Sequence, residues 1–115
     1  GADPAWAAAP VPIRATYTWT GSGSNDHWDN VANWSFPGAG WPDDCYDDAV
    51  IPSSPYGFAV ELVTEQIDDL TIEGDAAFSS QTPAIETLTV DSLTLIGECE
   101  IQLSGARVRT QTCSD

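Results

Sequence analysis

Lysine and methionine are missing from this chain of 115 residues, and its three arginines face 18 acidic side chains, a formal net charge of −15. Phosphate binding draws its affinity from clustered cations, so nucleic acid is excluded as a partner. The same shortage argues against docking on anionic lipid. No apolar run approaches the roughly 20 residues that a spanning helix requires, and membrane insertion is not expected. Histidine occurs once, at His27, which leaves no second imidazole for a transition-metal site. No serine or cysteine stands in a recognisable nucleophile setting, so the chain is read as a protein without enzyme activity. Helical periodicity is lacking throughout.

What is present is apolar enough to fold. Hydrophobic residues make up 42% of the chain, with Val, Ile, Leu, Thr and Trp prominent, whereas disordered sequences are too polar to bury a core. The length suits one domain burying about two-thirds of its unfolded surface. Residues 1–15 carry Pro4, Pro10 and Pro12 among alanines and read as an extended arm. Gly1 at the start, with no methionine, reads as a processed terminus or an expression scar. Residues 16–115 read as a single β domain. Thr16-Tyr17-Thr18-Trp19-Thr20 alternates at period 2 and predicts a strand; residues 21–48 read as a long loop whose Trp28, Trp34, Phe36, Trp41 and Tyr46 need a small core of their own. Short strands are then predicted at 49–51, 58–63, 67–72, 85–90, 93–96, 101–103 and 108–110. Ile67-Asp68-Asp69-Leu70-Thr71-Ile72 recurs 18 residues later as Ile85-Glu86-Thr87-Leu88-Thr89-Val90. Such a recurrence predicts stacked β rungs, with Leu70, Ile72, Leu88, Val90, Leu93, Leu95, Ile101 and Leu103 pointing inward and Leu70 beneath Leu88. An antiparallel β-sandwich of the jelly-roll kind is the alternative, since it also uses short strands at close spacing.

Tyr17-Thr18-Trp19-Thr20-Gly21, Trp28-Asp29-Asn30-Val31-Ala32-Asn33-Trp34, Pro42-Asp43-Asp44 and Asp48-Ala49-Val50-Ile51-Pro52 follow one another in that order. Together with the L-T-[IV] rungs, the pattern resembles the opening module of secreted bacterial autotransporter-like β-solenoid surface proteins, over about residues 16–110. The resemblance implies a short right-handed parallel β-helix with an aromatic-rich capping loop, and an extracellular or cell-surface habitat, with no particular reaction. The chain departs from that pattern in being short, with room for about three coils.

Several constellations carry possible chemistry. Asp43, Asp44, Asp47 and Asp48 supply hard oxygen donors of the kind calcium requires, set against a plain solvated acidic turn. Asp26 and Asp29 flank His27, which reads as an exposed loop histidine. Trp19, Trp28 and Trp34 read as the private core of the loop, leaving Trp41 as the candidate aromatic for a polysaccharide ligand. Cys99 and Cys113 lie 14 residues apart and are expected to bridge neighbouring coils, with Cys45 to Cys99 or to Cys113 as the other pairings. Three cysteines suit an oxidising compartment, hence a secreted protein. Strand-like sequence running to Thr112 with no polar cap implies either a fragment of a longer chain or an end of the rung stack covered by another molecule. The arm is the expected cover, with Trp6, Val11 and Ile13 as assembly residues. Repeated head to tail, the contact makes a homopolymer. The expected function is thus a structural subunit of an extracellular fibre or surface adhesin; the alternative is a carbohydrate-binding module of a secreted enzyme.

Overall fold

A computed structural model describes residues 14–35 and 40–113. The chain is all-β: nine strands and one 3-10 turn (Val31–Asn33) make up the regular structure of the described residues. The strands are β1 (Ala15–Trp19), β2 (Trp34–Ser35), β3 (Asp47–Ile51), β4 (Phe58–Leu62), β5 (Glu65–Ile72), β6 (Ala76–Ser80), β7 (Glu86–Leu95), β8 (Ile101–Ser104) and β9 (Ala106–Thr110). None of the described residues forms a helix long and apolar enough to cross a membrane.

Two sheets share one core. The larger runs β2-β1-β3-β5-β7-β9 and the smaller β4-β6-β8. Only β1 with β2 is antiparallel; every other strand pair is parallel, so the strands do not form the antiparallel arrangement of a jelly roll. Alternation explains which side chains go inside. In β3, Asp47, Ala49 and Ile51 are buried while Asp48 and Val50 are half-exposed. In β5 the alternation slips: Ile67 and Leu70 are both buried, three residues apart, with Asp68 and Asp69 between them turned outward. The strand therefore turns a corner there, and β7 does the same at Asp91, where its two buried residues Leu88 and Val90 give way to an exposed second half.

Registers define vertical columns of side chains. Tyr17, Ala49, Leu70 and Leu93 succeed one another in register, as do Ile51, Ile72 and Leu95. On the smaller sheet Val60, Phe78 and Leu103 do so. Identical side of the sheet plus direct stacking gives each apolar residue an apolar neighbour above and below, and the result is a core in which Tyr17, Ile51, Leu62, Ile67, Leu70, Leu88, Val60 and Val90 are fully buried. At roughly 1.5–3 kcal/mol for each fully buried large apolar side chain, these columns are the main stabilising element.

Three expectations need correcting. The 18-residue echo is not the structural repeat: Leu88 lies opposite Glu65, and Leu70 opposite Leu93, 23 residues on. The reason is β6, whose Ala76-Ala77-Phe78-Ser79-Ser80 has little β-propensity and which sequence reading passes over; it lies between β5 and β7 and pairs in the smaller sheet. Second, Leu70, Ile72, Leu88 and Val90 are buried as expected, but Leu93, Leu95 and Leu103 are 40%, 50% and 52% exposed. They continue buried columns, yet β9 pairs only with Glu86–Val90 and β8 has β6 alone as a neighbour, so nothing covers them among the described residues. Third, the disulfide joins Cys45 to Cys113, with Cα atoms 5.6 Å apart, and not Cys99 to Cys113. Cys99 is free. It sits in the turn after β7, where its thiol donates to the carbonyls of Ile72 and Ile96.

Candidate functional site

The loop between β1 and β3 closes one end of the stack. Trp28 and Trp34 make an edge-to-face pair with centroids 4.7 Å apart, and Trp34 meets Trp19 at 5.1 Å and Tyr17 at 6.3 Å in the same manner. Both indoles are satisfied: Trp28 Nε1 donates to the Pro42 carbonyl and Trp34 Nε1 to that of Trp28. Trp19, Trp28 and Trp34 are buried, which is the private core expected for the loop. Trp41 is half-buried and packs against the same cluster, so the aromatic loop presents no strip of bare indole faces among the described residues. Asn33 organises the backbone around it. Its amide nitrogen donates to the carbonyls of Asn25 and His27 at 2.9 and 3.0 Å, and its oxygen accepts from Gly23 N–H at 2.7 Å. The same loop covers the outer edge of β4: Glu61 N–H donates to the Asp26 carbonyl and Trp28 N–H to the Glu61 carbonyl. His27 lies 3.9 Å from the Glu61 carboxylate and faces solvent.

The acidic residues separate into two groups. Neighbouring positions on a strand point to opposite sides, so Asp47 and Asp48 part company. Carboxylate oxygens of Asp43, Asp44 and Asp47 lie within 4.8 Å of one another, and Asp48 instead joins Asp68 and Asp69 on the outer face. The four-aspartate calcium set expected from the sequence is thus two sets of three. In the first, Asp43 N–H donates to Asp47 Oδ2 and Tyr46 N–H to Asp44 Oδ1, so part of the carboxylate capacity is spent on holding the turn. In the second, Arg14 pairs with Asp48 and Asp68, while Asp69 accepts from Ser92 Oγ and Asp48 from Asp69 N–H.

Glu65 is the acid that the sequence did not single out. It opens β5 in an inward-facing column, beneath Leu88 and Val108. Burial pushes its pKa up from 4.5 to about 7, helped by the negative charges of Asp29, Asp44 and Asp47. Its Oε2 is buried without a hydrogen-bond partner among the described residues. Burial likewise raises the pKa of Asp47, against the hydrogen bond it receives near Asp44. A carboxyl whose pKa is raised toward neutrality has the acidity of a general acid, and this one lies beneath Leu88. The signal in the sequence is its place two residues before Ile67, which by strand alternation puts it on the same side.

Among the described residues nothing covers the other end of the two sheets. The outer edges of β8 and β9 carry no strand among the described residues, and Leu93, Leu95, Ile96 and Leu103 are exposed there. Trp6, Val11 and Ile13, the residues expected to cover such an end, lie outside the described residues. Compared with known proteins, the chain matches no family model, no curated protein and no solved structure.

Proposed function

We propose that this chain is a non-enzymatic structural protein of the cell exterior, the capped start of a β-solenoid whose open end receives strands from a neighbouring subunit. The observation that carries the reading is the polarity of the stack. One end is closed by β2 and by the loop that bonds to Glu61, and at the other no described residue covers the apolar columns above the buried ones. An unpaired strand edge over exposed leucines is a template for strand addition. Parallel pairing of β3, β5, β7 and β9 and of β4, β6 and β8 fits successive coils, and the likeness to autotransporter-like surface proteins belongs to the same proposal. A disulfide suits secretion.

Ala15 already opens β1 and Arg14 pairs with Asp48 and Asp68, so the arm ends sooner than the sequence suggests; head-to-tail addition of residues 1–13 of the next subunit, through Trp6, Val11 and Ile13, gives a fibre. Light scattering and electron microscopy test it. The full chain associates with rising concentration, and a chain lacking residues 1–13, or carrying Leu95→Asp, stays folded and monomeric. A full chain that remains monomeric at all concentrations, or a truncated one that associates equally, overturns the reading. Calcium is assigned to Asp43, Asp44 and Asp47, where it would offset the self-repulsion of a strongly acidic fold. A thermal midpoint that excess chelator leaves unchanged at low ionic strength removes it.

A further inference from the structure

Along the smaller sheet, the loop between β3 and β4 meets the turns that lead into β6 and β8. They enclose an open cavity of about 200 Å³ lined by Tyr56, Phe58, Asp75, Ala77, Glu100 and Gln102. Tyr56 is 99% exposed, in contrast to the three tryptophans that the fold spends on its core. Its ring stands at the cavity with that of Phe58, two aromatic faces beside two carboxylates. The loop is stiff for local reasons. Pro52 and Pro55 fix their own φ angles. Gly57 has φ +73°, and a Cβ there would stand 3.0 Å from the Asp75 carbonyl oxygen. Only glycine fits that conformation and that approach.

The polar groups of the cavity are held as firmly. Phe58 N–H donates to the Asp75 carbonyl and Ala76 N–H to that of Glu100, both at 3.1 Å, which stacks the two acidic residues on successive turns. Asp75 Oδ1 accepts from Glu100 N–H at 2.8 Å, and Glu100 Oε1 accepts from Gln102 Nε2 at 3.1 Å. Each carboxylate is thereby oriented, with its second oxygen outside those bonds. None of the described residues lining the cavity is cationic; the chain's arginines are at positions 14, 107 and 109. Two carboxylates within a protein of net charge −15 make the potential there strongly negative.

That combination excludes an anion and selects a cation with an apolar stem. A metal ion would make no use of the rings. A neutral sugar would use them but gain nothing from the field. We propose that the cavity binds a primary alkylammonium group, supplied by a free polyamine or by an exposed lysine side chain of a partner protein. The ammonium donates charge-assisted hydrogen bonds to Asp75 and Glu100, and its methylene groups lie against Tyr56 and Phe58, where the ring face attracts the charge.

The test is a titration of the full chain at about 0.15 M salt, where diffuse attraction is screened beyond ~8 Å. Spermidine, a short trilysine peptide with blocked ends, and cellohexaose are the probes, followed by calorimetry and by amide chemical shifts. Binding of an amine should move the signals of residues 56–58, 75–77 and 100–102. Tyr56→Ala and Glu100→Gln should each weaken it about tenfold, and Tyr56→Phe should keep it within about twofold. Glu98→Gln removes the same charge from an exposed position outside the cavity and should have little effect. Tighter binding of trilysine identifies a partner's lysine as the source, and tighter binding of spermidine a free polyamine; both support the site. If Glu98→Gln weakens binding as much as Glu100→Gln, only the general field is at work and the site is refuted. Preferential binding of cellohexaose at Tyr56 would overturn it in favour of a saccharide site.

Discussion

Replacing Asn33 with aspartate keeps the shape of the side chain and reverses its role at the point where the aromatic loop is tied together. Asn33 is fully buried. It gives two hydrogen bonds, to the Asn25 and His27 carbonyls, and takes one from Gly23 N–H. Its own carbonyl accepts from Thr20 N–H at 2.7 Å, so the position cannot shift without loosening the end of β1. Aspartate retains the acceptor for Gly23 but turns the donating amide into a second anionic oxygen facing two carbonyl oxygens. Each lost bond that leaves a buried group unmet costs about 1–3 kcal/mol, and an uncompensated buried charge about 3–5 kcal/mol. Since these overlap, Asn33→Asp should lose about 3–5 kcal/mol at pH 7, and less at acid pH, where the new carboxyl regains a proton to donate. Asn33→Ala should lose about 2–4 kcal/mol. Gly23→Ala reaches the same spot from the other side, because a Cβ there would stand 2.6 Å from Asn30 Nδ2 and 2.7 Å from Asn33 Oδ1. Urea unfolding followed by tryptophan fluorescence measures all three, since Trp28 and Trp34 flank the network. A loss below about 1 kcal/mol for Asn33→Asp at neutral pH would refute the account of the loop as a structure built around this amide.

Leu88→Ala and Leu70→Ala should each cost about 2–5 kcal/mol in the same assay, whereas Leu95→Ala, half-exposed at the open end, should cost under about 1 kcal/mol; equal losses would show that the end is covered. The bridge between Cys45 and Cys113 closes a loop of 68 residues, so the Cys45→Ser/Cys113→Ser pair should lose about 4 kcal/mol by the chain-entropy account, and Cys99→Ser should leave unfolding in reductant and oxidant unchanged. Glu65 has its folded-state pKa raised from 4.5 to about 7, so its contribution is fully present below about pH 4.5 and is lost as pH rises through about 7. The thermal midpoint should therefore fall between about pH 5 and 8, and Glu65→Gln should flatten that slope; an unaltered slope means that repulsion among the other acids accounts for it.

Residue pattern revealed the strands wherever β-branched and apolar residues alternate. Tyr17, Trp19, Ile51, Val60 and Leu62 are inside because they fall on every second position of their strands, and the loop's need for a core follows from three tryptophans among Gly, Asn and Asp. What escaped was any feature that depends on register. Ala76–Ser80 looks like a turn until Phe78 is seen between Val60 and Leu103, and without that strand the echo of Ile67 in Ile85 passes for the repeat. Asp47 and Asp48 are adjacent in sequence yet serve opposite sides of β3, which no count of carboxylates discloses. Glu65 is concealed for the same reason: only its pairing with Leu88 places it under an apolar column. Cysteine partners depend on where the last strand leaves the sheet, after the pairing of Val90 with Thr110, and spacing along the chain carries none of that.

The Cys45 to Cys113 bond has a mechanical side. Every strand from β3 to β9 lies between the two cysteines. Tension that reaches Cys45 and Cys113 passes through the sulfur atoms and bypasses β3 to β9, leaving only β1 and β2 ahead of the link. Under load the protein behaves as a closed link, whose strands stay paired while the covalent bridge bears the force. Reduction opens the link and places 68 residues in the path of the pull, a reserve of about 230 Å at full extension.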